Sequence, residues 1–368
     1  MDTFGFLVHP EDVTDVAKKF PSLQNWPPAL LERIMRFAPP LQVDHLRAIR
    51  SEHNEVEGWF VATTLTAKQM LELPLPTVLN KIIRAGKRAE RAGAKILGLG
   101  AFTSVVGDAG ITIAKHLRIP VTTGNSYTVA TAIQAIRQAA VLMDIEPKES
   151  HLTVIGATGA IGSICARLLA PHVGSLTIAA RDESKLEHLA GIIMSESGKM
   201  VDISTDVRHA VRKSELVVTV SGSADTILYP EDLKAGAVVC DVARPRDVAK
   251  AVAEKRPDVL VIEGGLVEIP GEYQSGFRFG LPKGVVYACM AETMLLALEK
   301  RYECFTLGRN IRVEQVRQID EMARKHGFKL AGFRSFDKQL TPDMIRTIRK
   351  VSTSFLPKKE EVRPITNL

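Results

Sequence analysis

The hydrophobic pattern changes character along the chain and divides it into three stretches. From residue 151 to residue 262, short apolar runs alternate with helical patterns at spacings of about 20 to 40 residues. This alternation is typical of βαβ units, and continuous apolar runs are typical of parallel strands that helices cover on both faces. The pattern predicts five strands, at residues 152–155, 176–179, 216–220, 237–240 and 259–262.

The two flanking stretches are mixed or helical. Residues 1–148 combine short strands and helices with proline pairs, and residues 130–143 form an alanine-rich helical pattern. Beyond Gly284 we predict helices at 285–301 and 313–326, the second ending at Gly327. The predicted fold class is therefore α/β: a Rossmann-type parallel-sheet domain at 149–284, and a second α/β substrate domain formed from both chain ends, 1–148 completed by 285–356. The charged residues 357–368 predict a flexible tail.

The composition excludes several classes of protein. The chain has 368 residues, 45% of them hydrophobic and 24% charged, which is typical of a folded protein of about two domains. Its longest apolar run is seven residues, too short for a transmembrane segment, and its first residues do not resemble a signal peptide. The four cysteines are scattered, which argues against disulfides and zinc. We expect a cytoplasmic protein with no bound metal.

The net charge is +6, and one segment concentrates positive charge. Lysine and arginine recur there at 3-4-3-4 spacing, which places five cations on one helical face: Lys81, Arg84, Arg88, Arg91 and Lys95. The face is either an ordinary solvated surface or a contact for an acidic carrier protein or for the phosphates of coenzyme A. The sequence shows no DNA- or RNA-binding motif, so nucleic acid is not an expected partner.

The strongest motif is a glycine loop that joins the strand at 152–155 to a predicted helix at 163–169. It follows a G-x-x-G-x-x-G pattern, with these residues: Gly156, Ala157, Thr158, Gly159, Ala160, Ile161 and Gly162. Gly156 allows a tight turn, Gly159 lets the backbone approach a pyrophosphate, and Gly162 lets the helix pack closely on the strand. Because a helix N-terminus attracts phosphate, we predict a dinucleotide site here, with Thr158, Ala160 and Ile161 among its binding residues.

The residues after the second predicted strand indicate which dinucleotide binds. Arg181 stands where NAD-binding proteins usually carry an acidic residue, and a guanidinium there favours the 2′-phosphate of NADPH. Asp182 is an alternative ligand for the ribose hydroxyls. Ser221 and Gly222 follow the third predicted strand, where the loop should pass the nicotinamide side of the cofactor.

Cys289 is the candidate nucleophile, within an apolar helical pattern. A cysteine in such a pattern is most often a buried small hydrophobe, and Cys165 and Cys240 fit that interpretation better. Glu292 lies three residues after Cys289 and hence on the same helical face, where it could orient a group at the site.

Two polar stretches of the first region are candidates for substrate contacts. One contains glycines and hydroxyls and ends at Ser104; the other contains Thr123, Asn125 and Ser126 before a helix. Their side chains could donate to a substrate carbonyl across a cleft. The alternative is ordinary turn and capping chemistry, with Asn125 or Ser126 as the N-cap.

Together these residues resemble the cyanobacterial long-chain acyl-[acyl-carrier-protein] reductases. The similarity runs from the start of the chain to about residue 328 and is carried by these segments: Phe4-Gly5-Phe6, Thr123-Gly124-Asn125, the loop at 156–162, Glu263-Gly264-Gly265, Ala288-Cys289-Met290-Ala291-Glu292 and Leu307-Gly308-Arg309-Asn310. The chain departs from the family pattern at Tyr127, where the family has histidine, and at 241–244, where it has a glycine pair. The segment beyond Phe328 is additional.

The resemblance implies that NADPH reduces a long-chain acyl thioester to a fatty aldehyde through an acyl-cysteine intermediate on Cys289. The implied partners are acyl-carrier protein or acyl-CoA. A peripheral membrane contact and the oligomeric state stay open. Two other functions remain: an NADPH-dependent dehydrogenase of the shikimate-dehydrogenase type, acting on a keto or hydroxy group, and a non-catalytic NADPH sensor.

Overall fold

The structure is a computed structural model, and we describe residues 2–223, 225–271, 273–276 and 280–355. The predicted tail at 357–368 lies outside the described residues. The helices are α1 Val13–Lys19, α2 Pro28–Phe37, α3 Ala67–Glu72, α4 Leu75–Arg91, α5 Ile111–Lys115, α6 Asn125–Leu142, α7 Ala160–Leu169, α8 Glu183–Ser197, α9 Val207–Val211, α10 Lys250–Lys255, α11 Ala288–Leu298, α12 Val313–Lys325 and α13 Pro342–Phe355. The strands are β1 Asp2–Val8, β2 Leu41–Arg50, β3 Glu55–Ala62, β4 Leu97–Leu99, β5 Val121–Thr122, β6 His151–Ile155, β7 Ser175–Ala179, β8 Asp202–Ser204, β9 Leu216–Thr219, β10 Val238–Asp241, β11 Leu260–Glu263, β12 Leu266–Glu268, β13 Val285–Tyr287, β14 Lys329–Leu330, β15 Arg334–Ser335 and β16 Lys338–Gln339.

The first sheet has the strand order β2-β3-β1-β4-β5. Strands β3, β1, β4 and β5 are parallel, and only β2 runs against its neighbour. Their carboxyl ends therefore lie along one edge of the sheet. The segments that leave this edge contain His9 after β1, Thr63 after β3, Ala101 after β4 and Thr123 after β5.

The second sheet is entirely parallel, with the order β11-β10-β9-β6-β7-β8. This is the doubly wound order of dinucleotide-binding folds, in which ligands bind where the strand order reverses, between β6 and β9. The predicted α/β class is confirmed, and the five predicted strands match β6, β7, β9, β10 and β11 to within one residue at each end. The sequence pattern missed β8, which is short, polar and partly exposed.

The predicted helix at 285–301 is wrong at its start. Val285–Tyr287 is a strand that pairs with β12, and the helix α11 begins only at Ala288. A continuous apolar run does not distinguish a strand from a buried helix, so the pattern alone joined the two. The correction places Cys289 in the first turn of α11. The helix predicted at 313–326 is confirmed as α12, followed by Gly327 with a φ of 75°.

The segment beyond Phe328 is integrated into the fold. Strand β14 joins β12, and the hairpin β15–β16 places the backbone N–H of Asp337 2.7 Å from a carboxylate oxygen of Glu263. Helix α13 is fixed by an ion pair between Arg349 and Asp144. Among the described residues no helix is both long and apolar enough to cross a membrane.

Some cations of the predicted basic face of α4 are exposed, and others bond to neighbouring parts of the protein. Arg84, Arg88 and Arg91 are exposed, as the spacing predicts. Lys81 is partly buried and donates to the carbonyl of Ala38, and Lys95 lies beyond the helix and pairs with Asp2. Of the five predicted cations, three are therefore exposed on the helix itself without one of these contacts: Arg84, Arg88 and Arg91.

Candidate active site

The N-terminus of α11 lies where the two large sheets meet. The backbone N–H of Ala288 donates to the carbonyl of Gly265, which follows β11 of the second sheet, at 2.8 Å. On the other side, a Cβ atom added to Gly98 in β4 would lie 2.1 Å from the Thr293 hydroxyl. Only glycine lets α11 lie this close to the first sheet. Cys289 is the second residue of this helix and therefore sits between the carboxyl edges of both sheets.

Helix α6 also starts at this point and touches Cys289 directly. Its N-cap is Gly124, with a φ of 74°, and α6 begins at Asn125. The expectation that Asn125 or Ser126 caps the helix is therefore wrong. A Cβ atom on Gly124 would lie 2.3 Å from the Cα and 2.4 Å from the Cβ of Cys289. The glycine is required both by its backbone conformation and by this contact.

Burial and nearby backbone N–H groups have opposite effects on the Cys289 thiol. Burial raises its pKa to about 12, and the nearby charge of Glu292 acts in the same direction. The N–H groups of Met290, of Cys289 itself and of Ala101 act against this rise, because each stabilises a negative charge on the sulfur. Ala101 has a φ of 44°, a left-handed conformation that is strained for a residue other than glycine.

The turn that carries Ala101 is fixed by its own side chains. Ala101–Ser104 is a single 3₁₀ turn in which the Thr103 hydroxyl donates to Gly100 and the Ser104 hydroxyl donates to Ala101. The N–H of Phe102 donates to Nε2 of His9, and Nδ1 of His9 lies 2.9 Å from the carbonyl of Pro10. Sequence reasoning missed His9, because a lone histidine after a strand carries no motif. Burial lowers the pKa of His9, which suits the neutral ring that accepts from Phe102.

Glu292 holds α6 in place rather than contacting the thiol. It is fully buried, and its carboxylate accepts from the Thr122 hydroxyl at 2.5 Å and from the N–H of Tyr127 at 3.0 Å. Tyr127 is the third residue of α6, so Glu292 caps this helix from α11. Burial raises the pKa of Glu292, and the bonds from Thr122 and Tyr127 oppose the rise. Glu292 therefore orients the start of α6, and a direct role of Glu292 at the reacting group stays a prediction.

The four candidate substrate residues differ in whether their side chains already form hydrogen bonds within the protein. The hydroxyls of Ser104 and Ser126 are already bonded, Ser104 to Ala101 and Ser126 to Thr306 at 2.7 Å. The Thr123 hydroxyl is buried and has no hydrogen-bond partner within the described part of the chain. Asn125 is buried, one residue after Gly124. Thr123 and Asn125 therefore remain candidates for substrate contacts, and Ser104 and Ser126 shape the backbone.

The glycine loop has the geometry of a phosphate site. Helix α7 begins at Ala160 rather than at 163, with Gly159 as N-cap, so the N–H groups of Ala160, Ile161 and Gly162 belong to its first turn. Gly159 is exposed, and Thr158, Ala160 and Ile161 are partly exposed. A Cβ atom on Gly156 would lie 2.5 Å from the Val220 carbonyl, and one on Gly162 would lie 2.3 Å from the Gly156 carbonyl. The loop residues therefore fit a pyrophosphate.

The neighbouring loops complete this region. The N–H of Gly156 donates to Ala179 at the end of β7, so Arg181 follows close to the loop. Arg181 is exposed and has no ion pair within the described residues. Asp182, the alternative ribose ligand, instead caps α8 and pairs with Lys185.

The loop after β9 is held from the protein side. The N–H of Ser221 donates to a carboxylate oxygen of Asp247 at 2.9 Å, and its hydroxyl donates to the same carboxylate. Gly222 is exposed, and a Cβ atom there would meet nothing within 4 Å. Ser221 therefore positions the loop, and Gly222 leaves its outer side open.

The other cysteines lie apart from this junction. Cys165 in α7 and Cys240 in β10 are completely buried, and burial raises the pKa of both thiols. Cys304 is exposed, and its sulfur lies 3.5 Å from the N–H of Val121. Cys289 is thus the cysteine that the fold brings to the first turn of a helix between the two sheets.

Comparisons with known proteins agree with this geometry. Residues 138–263 match the family model for shikimate/quinate 5-dehydrogenase, which spans the second sheet. The chain is 28% identical over 366 residues to aminotransferase PigE of a Serratia species, covering 94% of this chain but only 42% of PigE. It is 27% identical over 307 residues to the long-chain acyl-[acyl-carrier-protein] reductase of Synechococcus elongatus, covering 79% of this chain and 88% of that protein.

Among solved structures, a dipicolinate synthase from Bacillus halodurans is 14% identical, with a TM-score of 0.32, covering 52% of this chain and 62% of that one. The strand order, the glycine loop and the family match together decide the role of the second sheet. It binds a nicotinamide cofactor. The relatives support a coarse class, an NAD(P)-dependent oxidoreductase.

Proposed function

We propose that the chain reduces a long-chain acyl thioester, carried by acyl-carrier protein or coenzyme A, to a fatty aldehyde with NADPH. The observation that carries the proposal is the position of Cys289. Cys289 lies in the first turn of α11, its Cα and Cβ pack against Gly124 at the start of α6, and the preceding Ala288 N–H bonds to Gly265 after the last strand of the nucleotide-binding sheet. The similarity to the Synechococcus elongatus reductase supports the same chemistry.

The proposed division of the chain follows from this junction. Residues 149–284 form the cofactor domain, and residues 1–148 with 285–356 form the substrate domain. Arg181 favours NADPH over NADH, because its exposed guanidinium stands beside the glycine loop and can pair with a 2′-phosphate. Thr158, Gly159, Ala160 and the rest of the loop hold the pyrophosphate.

The chain's own residues account for the thiol chemistry. The Cys289 thiol loses its proton as its sulfur attacks the thioester carbonyl carbon, a new C–S bond forms, and the carrier's C–S bond breaks so that the carrier leaves as a thiol with that proton. The N–H groups of Ala101 and Met290 favour negative charge on the Cys289 sulfur, and we propose that they also stabilise the charge that develops on the acyl oxygen. NADPH, when bound, supplies the hydride that the acyl carbon accepts. The C–S bond to Cys289 then breaks, which releases aldehyde and a thiolate that takes a proton from water to restore the thiol.

His9 and Glu292 are positioning residues in this proposal. His9 holds the turn that presents the Ala101 N–H, and Glu292 holds α6 against Cys289. Thr123 and Asn125 lie at the same edge and are proposed to contact the acyl group or its carrier arm.

The test is turnover. Purified protein is mixed with a long-chain acyl thioester and NADPH, and nicotinamide oxidation and aldehyde formation are followed together. We expect Cys289→Ser to abolish both, and Cys304→Ser, at the exposed cysteine, to leave them unchanged. Full aldehyde formation by Cys289→Ser would reject the acyl-cysteine route.

A second candidate is a dehydrogenase that acts on a keto or hydroxy group. The family match at 138–263 favours it, although that match covers only the nucleotide-binding sheet. Such an enzyme needs no thiol, so its activity would survive alkylation of Cys289. Cofactor binding without turnover on acyl thioesters and without keto reduction would instead indicate an NADPH sensor.

A further inference from the structure

Helix α2 has two apolar faces, and only one of them is packed. Leu31 and Met35 point into the fold and are buried. Leu30, Ile34 and Phe37, spaced four and three residues apart, form a second stripe that we call the outer face of α2. The exposed fractions are 44% for Leu30, 45% for Ile34 and 75% for Phe37. An amphipathic helix of a soluble fold normally turns such a stripe inward, so this one lacks a partner within the described chain.

The outer face is extended by other exposed apolar residues nearby. Phe20 and Trp26 precede α2 in the chain and are 40% and 42% exposed. Leu71 in α3 is 52% exposed, and α3 lies beside α2 because the Gln69 side chain donates to the carbonyl of Glu32. The segment that leads into α2 thus adds two exposed aromatic rings, and exposed aromatic rings near an apolar stripe are typical of segments that sit at a membrane interface.

Positive charge borders the same surface. Arg33 and Arg36 are exposed on one flank of the outer face, and the Arg36 guanidinium lies 5.9 Å from the centre of the Phe37 ring. Helix α4 is joined to the end of α2 by the bond from Lys81 to Ala38, and it adds exposed cations, including Arg84. Apolar side chains bordered by arginine match a bilayer, whose acyl region accepts the rings while anionic headgroups pair with the cations.

The outer face also lies near the thiol edge of the first sheet. The Thr64 hydroxyl donates to the carbonyl of Ala38, so the end of α2 is fixed beside the carboxyl end of β3. Strands β1 and β4, which follow β3 in the sheet, lead to His9 and Ala101 at the same edge. The end of α2 therefore lies at the same edge of the first sheet as His9 and Ala101.

We propose that the outer face of α2 binds the surface of an anionic lipid bilayer. A carrier protein would match the cations but offers no apolar layer for Phe37, Ile34, Leu30 and Trp26 together, and so fits this surface less well. The contact is peripheral, with α2 lying in the interface plane and its arginines among the headgroups. It stands apart from the reductase proposal, because binding is measured without substrate or cofactor.

The experiment uses the full chain with vesicles of phosphatidylcholine alone and of phosphatidylcholine mixed with phosphatidylglycerol. Sedimentation reports the bound fraction. The fluorescence of Trp26 reports insertion, since Trp59 is partly buried and stacked on His45, and Trp26→Phe assigns the change. We expect binding to the mixed vesicles that weakens as salt rises, with a blue shift that Trp26→Phe removes.

Phe37→Ser and Ile34→Glu should each lower the partition onto mixed vesicles by about tenfold or more, because each removes a buried apolar side chain from the lipid. The matched control is Val141→Ser, at a valine of α6 that is 70% exposed on another surface. Absence of binding to mixed vesicles, or equal binding by Phe37→Ser and the parent, would overturn the proposal. So would loss of binding to acyl-carrier protein in Phe37→Ser with vesicle binding unchanged, since that result would assign the face to the carrier. Turnover on a soluble short-chain thioester tests the reductase proposal separately.

Discussion

Helices α6 and α7 both have a glycine as N-cap, left-handed at Gly124 and extended at Gly159, and their N-termini have different partners. Gly159 caps α7 and is exposed, so the first N–H groups of α7 remain open to a ligand. Gly124 caps α6 and is pressed against Cys289, and the Tyr127 N–H is taken by the buried carboxylate of Glu292. The N-terminus of α7 can therefore bind an anion from solution, whereas the N-terminus of α6 is bonded to α11.

The difference shows that a glycine before a helix does not by itself define a binding site. A helix N-terminus is free to bind a ligand only when no group of the protein accepts a hydrogen bond from its first backbone N–H groups. Around α6 the acceptor is Glu292, which lies more than 160 residues away in sequence. Around α7 the nearest side chains leave the donors free, and the exposed Arg181 adds positive charge.

The strongest test of the comparison is Gly124→Ala. The added methyl group would overlap the Cys289 backbone, and a φ of 74° is strained for alanine. A shift of the thiol by about 1 Å is expected to lower turnover by about 100-fold. The control is Gly198→Ala, because Gly198 has a φ of 67° but a Cβ atom there would meet nothing within 4 Å. Equal turnover in the two variants would contradict the contact between α6 and Cys289.

Glu292→Ala tests the capping of α6 from α11. It leaves the Tyr127 N–H and the Thr122 hydroxyl buried without their acceptor, so the free energy of unfolding should fall by about 3 kcal/mol. Urea denaturation measures the change, and Glu303→Ala at a half-exposed surface pair is the control. A loss no larger than that of the control would mean that α6 does not depend on Glu292.

The sequence predicted the nucleotide-binding half of the molecule well, because its signals are local. Apolar runs mark buried parallel strands, and the glycines of 156–162 follow a strand and open a helix within a few residues. The short polar strand β8 carries no such signal and was missed.

The thiol site is assembled from residues far apart in sequence, and little of it could be predicted from spacing. The chain pattern marked Cys289 and Glu292, but the turn at Ala101 and the contact with Gly124 exist only in the folded structure. The pattern also gave Ser104 and Ser126 substrate roles, whereas their hydroxyls are used by the backbone and by Thr306. Buried hydroxyls form hydrogen bonds within the protein, and a sequence does not show which partners they find.

The pH dependence of Cys289 alkylation tests the raised pKa of the thiol at the start of α11. Burial raises the thiol pKa to about 12, so the reactive thiolate is scarce at neutral pH. The rate constant should rise about tenfold per pH unit between pH 7 and 9, with no plateau. It is measured with iodoacetamide in Cys304→Ser, since Cys304 is the exposed competitor. A plateau below pH 9 would show that the nearby backbone N–H groups outweigh burial.

Arg181→Ala tests the open side of α7. It removes a charged partner of a 2′-phosphate, so the Kd of NADPH should rise by about 10- to 100-fold while that of NADH changes little. Tryptophan or nicotinamide fluorescence titrations give both constants. Equal weakening for both cofactors would place the 2′-phosphate elsewhere.

The smallest effect is expected for Asp182→Ala. Asp182 accepts from the N–H of Lys185 and caps α8, so its loss should lower the midpoint of urea denaturation slightly. The ratio of NADPH to NADH affinity should stay as in the parent. A changed ratio would return Asp182 to the role of ribose ligand.

The most direct test of the central claim is the intact mass of the protein after incubation with a long-chain acyl-CoA in the absence of NADPH. We expect one acyl group to be added, to map to the peptide that contains Cys289, and to disappear when NADPH is supplied. In Cys289→Ser the adduct should not form. An unmodified mass under conditions where NADPH-dependent aldehyde formation proceeds, or an adduct on another cysteine, would contradict the claim.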